Sequence, residues 1–241
     1  MNKTVFKRLM TGLAVTAGMG LLIVIIMIIR FSYISKKTSP SDTQSVNDSV
    51  FCIRDKFVNA YLFRGYEGYL MVDAGLSEKR VLEELNKLGI DPSEILALIL
   101  THTDKDHTGA LGAVENAGIF LHTEEEQMIN GETAKHIFKT RWKNVFYSLF
   151  ESGDILNIDI FSIEVIHTPG HTPGSCCFIV NGDYLLTGDN LLVEDGKYVH
   201  FFDMVNMDTG RQTESLKYLP PPGQFEYIFT GHSGIIRTDK L

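Results

Sequence analysis

Between His102 and His107 the chain reads His102-Thr103-Asp104-Lys105-Asp106-His107. Two imidazoles and two carboxylates so close together are metal-binding chemistry, because neutral imidazole and ionised carboxylate are the common protein donors to Zn, Fe and Mn. The apolar run Ala97-Leu98-Ile99-Leu100 precedes them as a buried strand, and Gly109-Ala110-Leu111 follows as the opening of a helix. The donors therefore stand where a strand ends. A lone Asp before a helix is more often a cap than a ligand, so other segments must complete a coordination sphere.

Three later segments do. His171 lies in Thr168-Pro169-Gly170-His171-Thr172-Pro173-Gly174, Asp189 follows Gly188 at the end of a second apolar strand, and His232 follows Gly231 after Tyr227–Thr230. Each is flanked by Gly or Pro, which lets the backbone bend tightly and side chains converge from rigid elements. His122, His136, His167 and His200 fall outside such positions and read as ordinary histidines, with His200 the one placed to line a cleft. Cys52, Cys176 and Cys177 are an odd number and form no disulfide framework. The adjacent pair sits in a strand, one facing the core and the other the opposite face.

The elements that carry these residues alternate in type. Residues 50–58, 60–63 and 69–72 are rich in aromatic and β-branched side chains and read as successive antiparallel strands. Val81, Leu82, Leu85 and Leu88 have helical spacing, stopped by Gly89. Asp91-Pro92-Ser93-Glu94 reads as a helix start, with Asp as cap and Pro at the first position. A short helix to about residue 116, a strand over 118–122 and helical material over 124–150 follow. Next come a strand at 161–166, a hairpin of 175–180 and 184–187 turned at Asn181-Gly182-Asp183, a helix over 209–219 and a last strand at 227–230. This mixed order predicts two sheets with helices outside.

The N-terminus is a different material. Lys3, Lys7 and Arg8 precede 21 uncharged residues, Leu9–Ile29, closed by Arg30. That length suits a bilayer core of about 30 Å, so the reading is a basic segment 1–8, an uncleaved single-pass membrane anchor 9–31 and a polar tether 32–47. A globular domain over 48–241 follows, placed outside the cytoplasm. Residues 1–45 carry a net charge of +5, and the chain is formally −8, which leaves −13 on the remainder. So acidic a domain would repel a phosphate backbone, which argues against nucleic acid as a partner; a small-molecule substrate is the expected partner.

HxDxDH, PGHTPGS, a strand ending in GD and a terminal GH occur here in one order, together with the turn Val72-Asp73-Ala74-Gly75. This order resembles the metallo-β-lactamase-fold superfamily, whose usual first motif is HxHxDH, over roughly residues 50–235. The resemblance implies an α+β domain, an αββα four-layer sandwich with two divalent metal ions at its edge. His102, Asp104 and His171 would hold one ion, Asp106, His107 and His232 the other, and Asp189 would bridge them. Asp73 would orient ligands without touching metal. Zn is the expected ion, with Fe or Mn open because Asp104, where most members carry a second His, is a harder ligand.

The implied activity is metal-dependent hydrolysis, a metal-bound hydroxide attacking an ester, thioester, lactone or phosphodiester bond, with Asp106 as the catalytic proton carrier. Two rivals stand beside it: a di-iron redox site for oxygen or nitric oxide, and a non-catalytic membrane-anchored binding module. Members with an Asp in place of that His include the outer lobe of DNA-uptake channel proteins. β-Lactamases of the commonest type carry Cys where this chain has Asp189.

Overall fold

The structure, a computed structural model, describes residues 15–26, 28–29, 32, 38–135, 139–194 and 197–240. The chain divides into a unit over Met1–Thr38 and a compact unit over Ser39–Leu241. In the first, residues 15–26 are helical, a length of about 18 Å at 1.5 Å per residue against about 30 Å of hydrocarbon. Among the described residues no helix is long and apolar enough to cross a membrane. The expected span over 9–31 is therefore not supported by what is described, and residues 9–14, 27, 30 and 31 lie outside it.

The second unit holds two mixed sheets. The first runs in the order β1 (Gln44–Ser45), β2 (Val50–Asp55), β3 (Val58–Arg64), β4 (Tyr69–Val72), β5 (Ile95–Ile99), β6 (Gly118–His122) and β7 (Ser148–Phe150). Its first four strands are an antiparallel meander, and β4 to β7 pair in parallel. A parallel pair needs a crossover, and between β4 and β5 helix α1 (Glu78–Leu88) supplies it. The segment read as a tether contributes β1, and Ser41 bonds the side chain of Asn59.

The second sheet contains β8 (Ile155–Ile158), β9 (Phe161–His167), β10 (Cys176–Val180) and β11 (Tyr184–Gly188). A small hairpin of β12 (Leu191–Glu194) and β13 (Lys197–His200) precedes β14 (Tyr227–Thr230) and β15 (Gly234–Arg237). The sheet order is β15-β14-β11-β10-β9-β8, antiparallel except for β11 with β14.

Side-chain alternation builds the layers. Along β3, Tyr61 and Phe63 point into the core between the sheets, while Ala60 and Leu62 join Val81 and Leu85 of α1 on the outer face. Along β10, Cys176, Phe178 and Val180 face the same inter-sheet core, and Cys177 and Ile179 pack outward with Leu219 and Phe225. Both faces are covered, so these strands read as unbroken apolar runs rather than alternating ones. The result is helix, sheet, sheet, helix. The cysteine pair divides between the two faces as the strand period requires.

Some boundaries differ from expectation. Asp91 does cap, accepting from Ser93 N at 2.9 Å, but only one 3-10 turn, Pro92–Glu94, forms before β5 begins. Among the described residues, the helical reading of 124–150 shrinks to a 3-10 turn and α3 (Glu126–Ile129), reached after α2 (Lys105–Thr108), with 136–138 outside them. Gly131 turns the chain with φ +82°, and Trp142 N then bonds Ile129 O at 2.9 Å. Over 209–219, α4 (Thr209–Ser215) tightens into a 3-10 turn.

Candidate metal centre

Every residue picked out by the motifs lies at a strand's C-terminal end along one edge of the sandwich. Asp73 follows β4, residues 102–107 follow β5, His171 follows β9, Asp189 follows β11 and His232 follows β14. Because β9, β11 and β14 run the same way, their ends open toward one place. The backbones there approach closely. A Cβ on Gly188 would lie 2.4 Å from Thr101 Oγ1, and one on Gly231 would lie 2.5 Å from Asp189 Oδ1.

All seven expected ligands converge. His102, Asp104 and His171 form one group, His102, His107 and Asp189 a second, and Asp106, His107 and His232 a third, with the donor atoms of each group within 4.8 Å of one another. Asp189 reaches both sides: Oδ1 lies 3.2 Å from His107 Nε2, and Oδ2 lies 3.1 Å from His232 Nε2 and 3.4 Å from His171 Nε2. Asp104 Oδ2 is 3.2 Å from His171 Nε2, and Asp106 Oδ2 is 3.4 Å from His232 Nε2.

The four rings are oriented from behind by their Nδ1 atoms. His107 Nδ1 meets Asp73 Oδ2 at 2.8 Å, His171 Nδ1 meets Asn206 Oδ1 at 3.0 Å, and His232 Nδ1 meets Phe57 O at 2.7 Å. His102 Nδ1 lies 3.0 Å from Thr101 Oγ1, whose hydroxyl donates to Asp73. A ring that donates through Nδ1 presents a bare lone pair at Nε2. With the imidazoles neutral, as metal binding requires, four such lone pairs and three carboxylates facing one another repel unless a cation lies among them. His102 Nε2, His107 Nε2 and Asp189 Oδ1 are buried without hydrogen-bond partners. This donor set fits divalent metal.

Electrostatics follow the same division. Burial alone would push the carboxyls of Asp104, Asp106 and Asp189 up, yet all three are held low. The neighbouring His102 and His171 rings and the Lys135 charge outweigh burial for Asp104. The His232 and His107 charges do so for Asp189. Burial likewise lowers His232, but Asp189 and Asp106 drive it up to about 10. His171 goes the other way, lowered by burial and by Lys135.

Five supporting residues had no recognisable sequence signal. Glu125 is fully buried and accepts from Thr103 N (2.8 Å), Thr103 Oγ1 (2.7 Å), Thr172 Oγ1 (2.7 Å) and Gly174 N (2.9 Å), joining the loops that carry His102 and His171. Burial pushes its carboxyl up in spite of those donors. Asn206 steadies His171, and Lys135 donates to Asp104 Oδ2. Phe57 and Phe201 stack on the His232 ring, with centroids at 5.8 and 5.4 Å.

The remaining histidines stay apart. His200 bonds Phe201 O and Asp203, His122 stacks on His167 with centroids 4.0 Å apart, and His136 lies outside the described residues. Beside Asp104 and Asp106 a cavity of about 240 Å³ opens, lined also by Thr103, Met128, Thr133 and Lys135.

The family model described as the metallo-beta-lactamase superfamily matches residues 53–232. The probable metallo-hydrolase YqgX of Bacillus subtilis is 31% identical over 142 residues, covering 55% of this chain and 65% of that protein. The acyl-coenzyme A thioesterase MBLAC2 of Gallus gallus is 23% identical over 230 residues, 81% of this chain and 82% of its own. Among solved structures, the class B3 di-zinc metallo-beta-lactamase LRA-12 from an Alaskan soil metagenome superposes with a TM-score of 0.62 at 18% identity, covering 80% and 79% of the two chains.

Proposed function

Because this chain belongs to the metallo-beta-lactamase superfamily, we propose that it is a metal-dependent hydrolase of small acyl substrates, thioesters foremost. The observation that carries this reading is the convergence of four inward Nε2 atoms and three carboxylates, three of those donor atoms buried without partners. His102, Asp104 and His171 would hold one divalent ion, Asp106, His107 and His232 the other, with Asp189 between them. Bound there, the ions supply Lewis acidity toward the substrate carbonyl and acidify a water.

The chain's own groups do the rest. Asp73 fixes the His107 ring and Asn206 the His171 ring, so donor directions are set before any ion arrives. Asp106 keeps its side chain 22% exposed and borders the cavity, where it can orient a water and hand a proton to the leaving group. Thioester preference is supported by the relative named as a thioesterase that aligns with 81% of this chain.

A panel of thioester, ester, lactone and phosphodiester substrates, with EDTA and with Zn, Mn or Fe restored, tests the proposal. Thioester turnover lost with EDTA and regained with one metal is the expected result. Metal uptake with no turnover would instead favour a binding module, and an iron site reacting with oxygen or nitric oxide would favour the redox alternative. Attachment to a membrane, with the catalytic unit outside the cytoplasm, rests on the basic-apolar-basic pattern of residues 1–37. Release of the chain by alkaline carbonate would overturn it.

A further inference from the structure

Lys135 comes from the loop after α3 and is 8% exposed at its side chain. Its Nζ donates to Asp104 Oδ2 and lies 2.7 Å from His171 Nε2. These are two of the three residues in the His102-Asp104-His171 group. The position is built in. Thr133 N bonds Gln127 O at 2.9 Å and Thr133 Oγ1 bonds Gln127 Oε1 at 2.7 Å, so the residues just before Lys135 are fastened to α3.

The other half of the centre differs. Among the described residues the ion pairs of Asp106 and Asp189 are all with histidines. An ammonium and a divalent ion cannot share the same two donor atoms, and like charges a few ångströms apart repel strongly in a buried site. A tethered lysine also competes at a high effective concentration, which no dilution removes.

We infer that Lys135 is an internal cationic competitor for the Asp104-His171 half of the centre, so that this half is the weaker and more exchangeable of two ion positions. The inference rests on the reading of the cluster as a metal centre, and it assigns that centre a regulation: occupancy by the ion at Asp104 follows the supply of free metal, while the ion at His232 stays. Asp104 and Lys135 together also carry no net charge, as a neutral imidazole would at the same place.

The test is a Zn²⁺ titration of the purified full-length chain against a chelator of known affinity, with folding checked by circular dichroism. The wild type is expected to bind in two steps at least about tenfold apart. His171→Asn should remove the weaker step and His232→Asn the tighter, which assigns them. Lys135→Met should tighten the weaker step by about tenfold or more and move the tighter one by less than about twofold. Lys135→Arg, which keeps the cation, should stay near wild type. An unchanged weaker step in Lys135→Met, or equal tightening of both steps, overturns the competition. A wild-type chain that takes up no Zn²⁺ at all overturns the metal centre itself, a separate failure.

Discussion

Glu125 offers the sharpest test of how the centre is held. Its two oxygens receive four hydrogen bonds between 2.7 and 2.9 Å. Two of the donors, Thr103 N and Gly174 N, are backbone groups that cannot rotate away. Each buried donor left alone costs about 1–3 kcal/mol, so Glu125→Ala should lose roughly 3–5 kcal/mol once the cavity is included. In Glu125→Gln one oxygen can still serve Thr103, but the amide hydrogens then face Gly174 N. That variant should lose about 1–3 kcal/mol. At about 2–4 °C per kcal/mol for a domain of this size, Glu125→Gln should melt roughly 2–12 °C lower, and Glu125→Ala lower again. The damage is directional. Thr103 stands between His102 and Asp104, and Thr172 follows His171, so metal affinity should fall by about tenfold or more at that group and little at Asp106, His107 and His232. Differential scanning fluorimetry and chelator competition measure the two effects. Unchanged melting in both variants, or equal loss of affinity at both groups, would refute the clamp.

Three further outcomes are expected. Gly231→Ala puts a Cβ 2.5 Å from Asp189 Oδ1 and 2.9 Å from His107 Cε1, and should lower kcat/KM by about 100-fold through misplacement of the Asp189 carboxylate; retained activity would contradict the tight seating. Burial and the neighbouring His167 lower His122 to about 4. Its neutral form is the folded one, so stability holds above the unfolded value of about 6.5 and falls as pH drops toward 4, by up to about 3 kcal/mol. His122→Asn, which keeps an acceptor for Glu124 N, should show a smaller drop in melting temperature between pH 7 and pH 4.5 than the wild type. Finally, Asp104→His removes one negative charge from the loaded centre, and the acid limb of its hydrolysis profile should move to lower pH; an unmoved limb would discount that charge.

The catalytic edge was legible because its residues follow strong local signals. Apolar runs end close before a His or Asp, which stands directly behind Gly at Gly170-His171, Gly188-Asp189 and Gly231-His232. The β10–β11 hairpin was equally clear from Asn181-Gly182-Asp183. What failed was material whose structure is decided at a distance. Residues 124–150 contain Met128, Ile129, Trp142 and Tyr147 near helical spacing, yet Gly131 turns the chain after the helix, and Trp142 N returns to bond Ile129 O. Glu125 is the middle one of three consecutive acids, and nothing local marks it for burial. Lys135 and Asn206 act through partners 31 and 35 residues away. Strands β1, β12 and β15 are only 2–4 residues long, too short to show a period.

The ligand groups come from both halves of the sandwich: His102, Asp104, Asp106 and His107 from the first sheet, His171, Asp189 and His232 from the second. An ion gripped there acts as a rivet across the seam. Occupancy at a hundred times the dissociation constant would add about 2.7 kcal/mol to whatever the apolar interior supplies, so starving the chain of metal would loosen the joint between the halves as well as silence the proposed chemistry. Inhibitors that strip the ion and conditions that melt the protein would then work on one fastening.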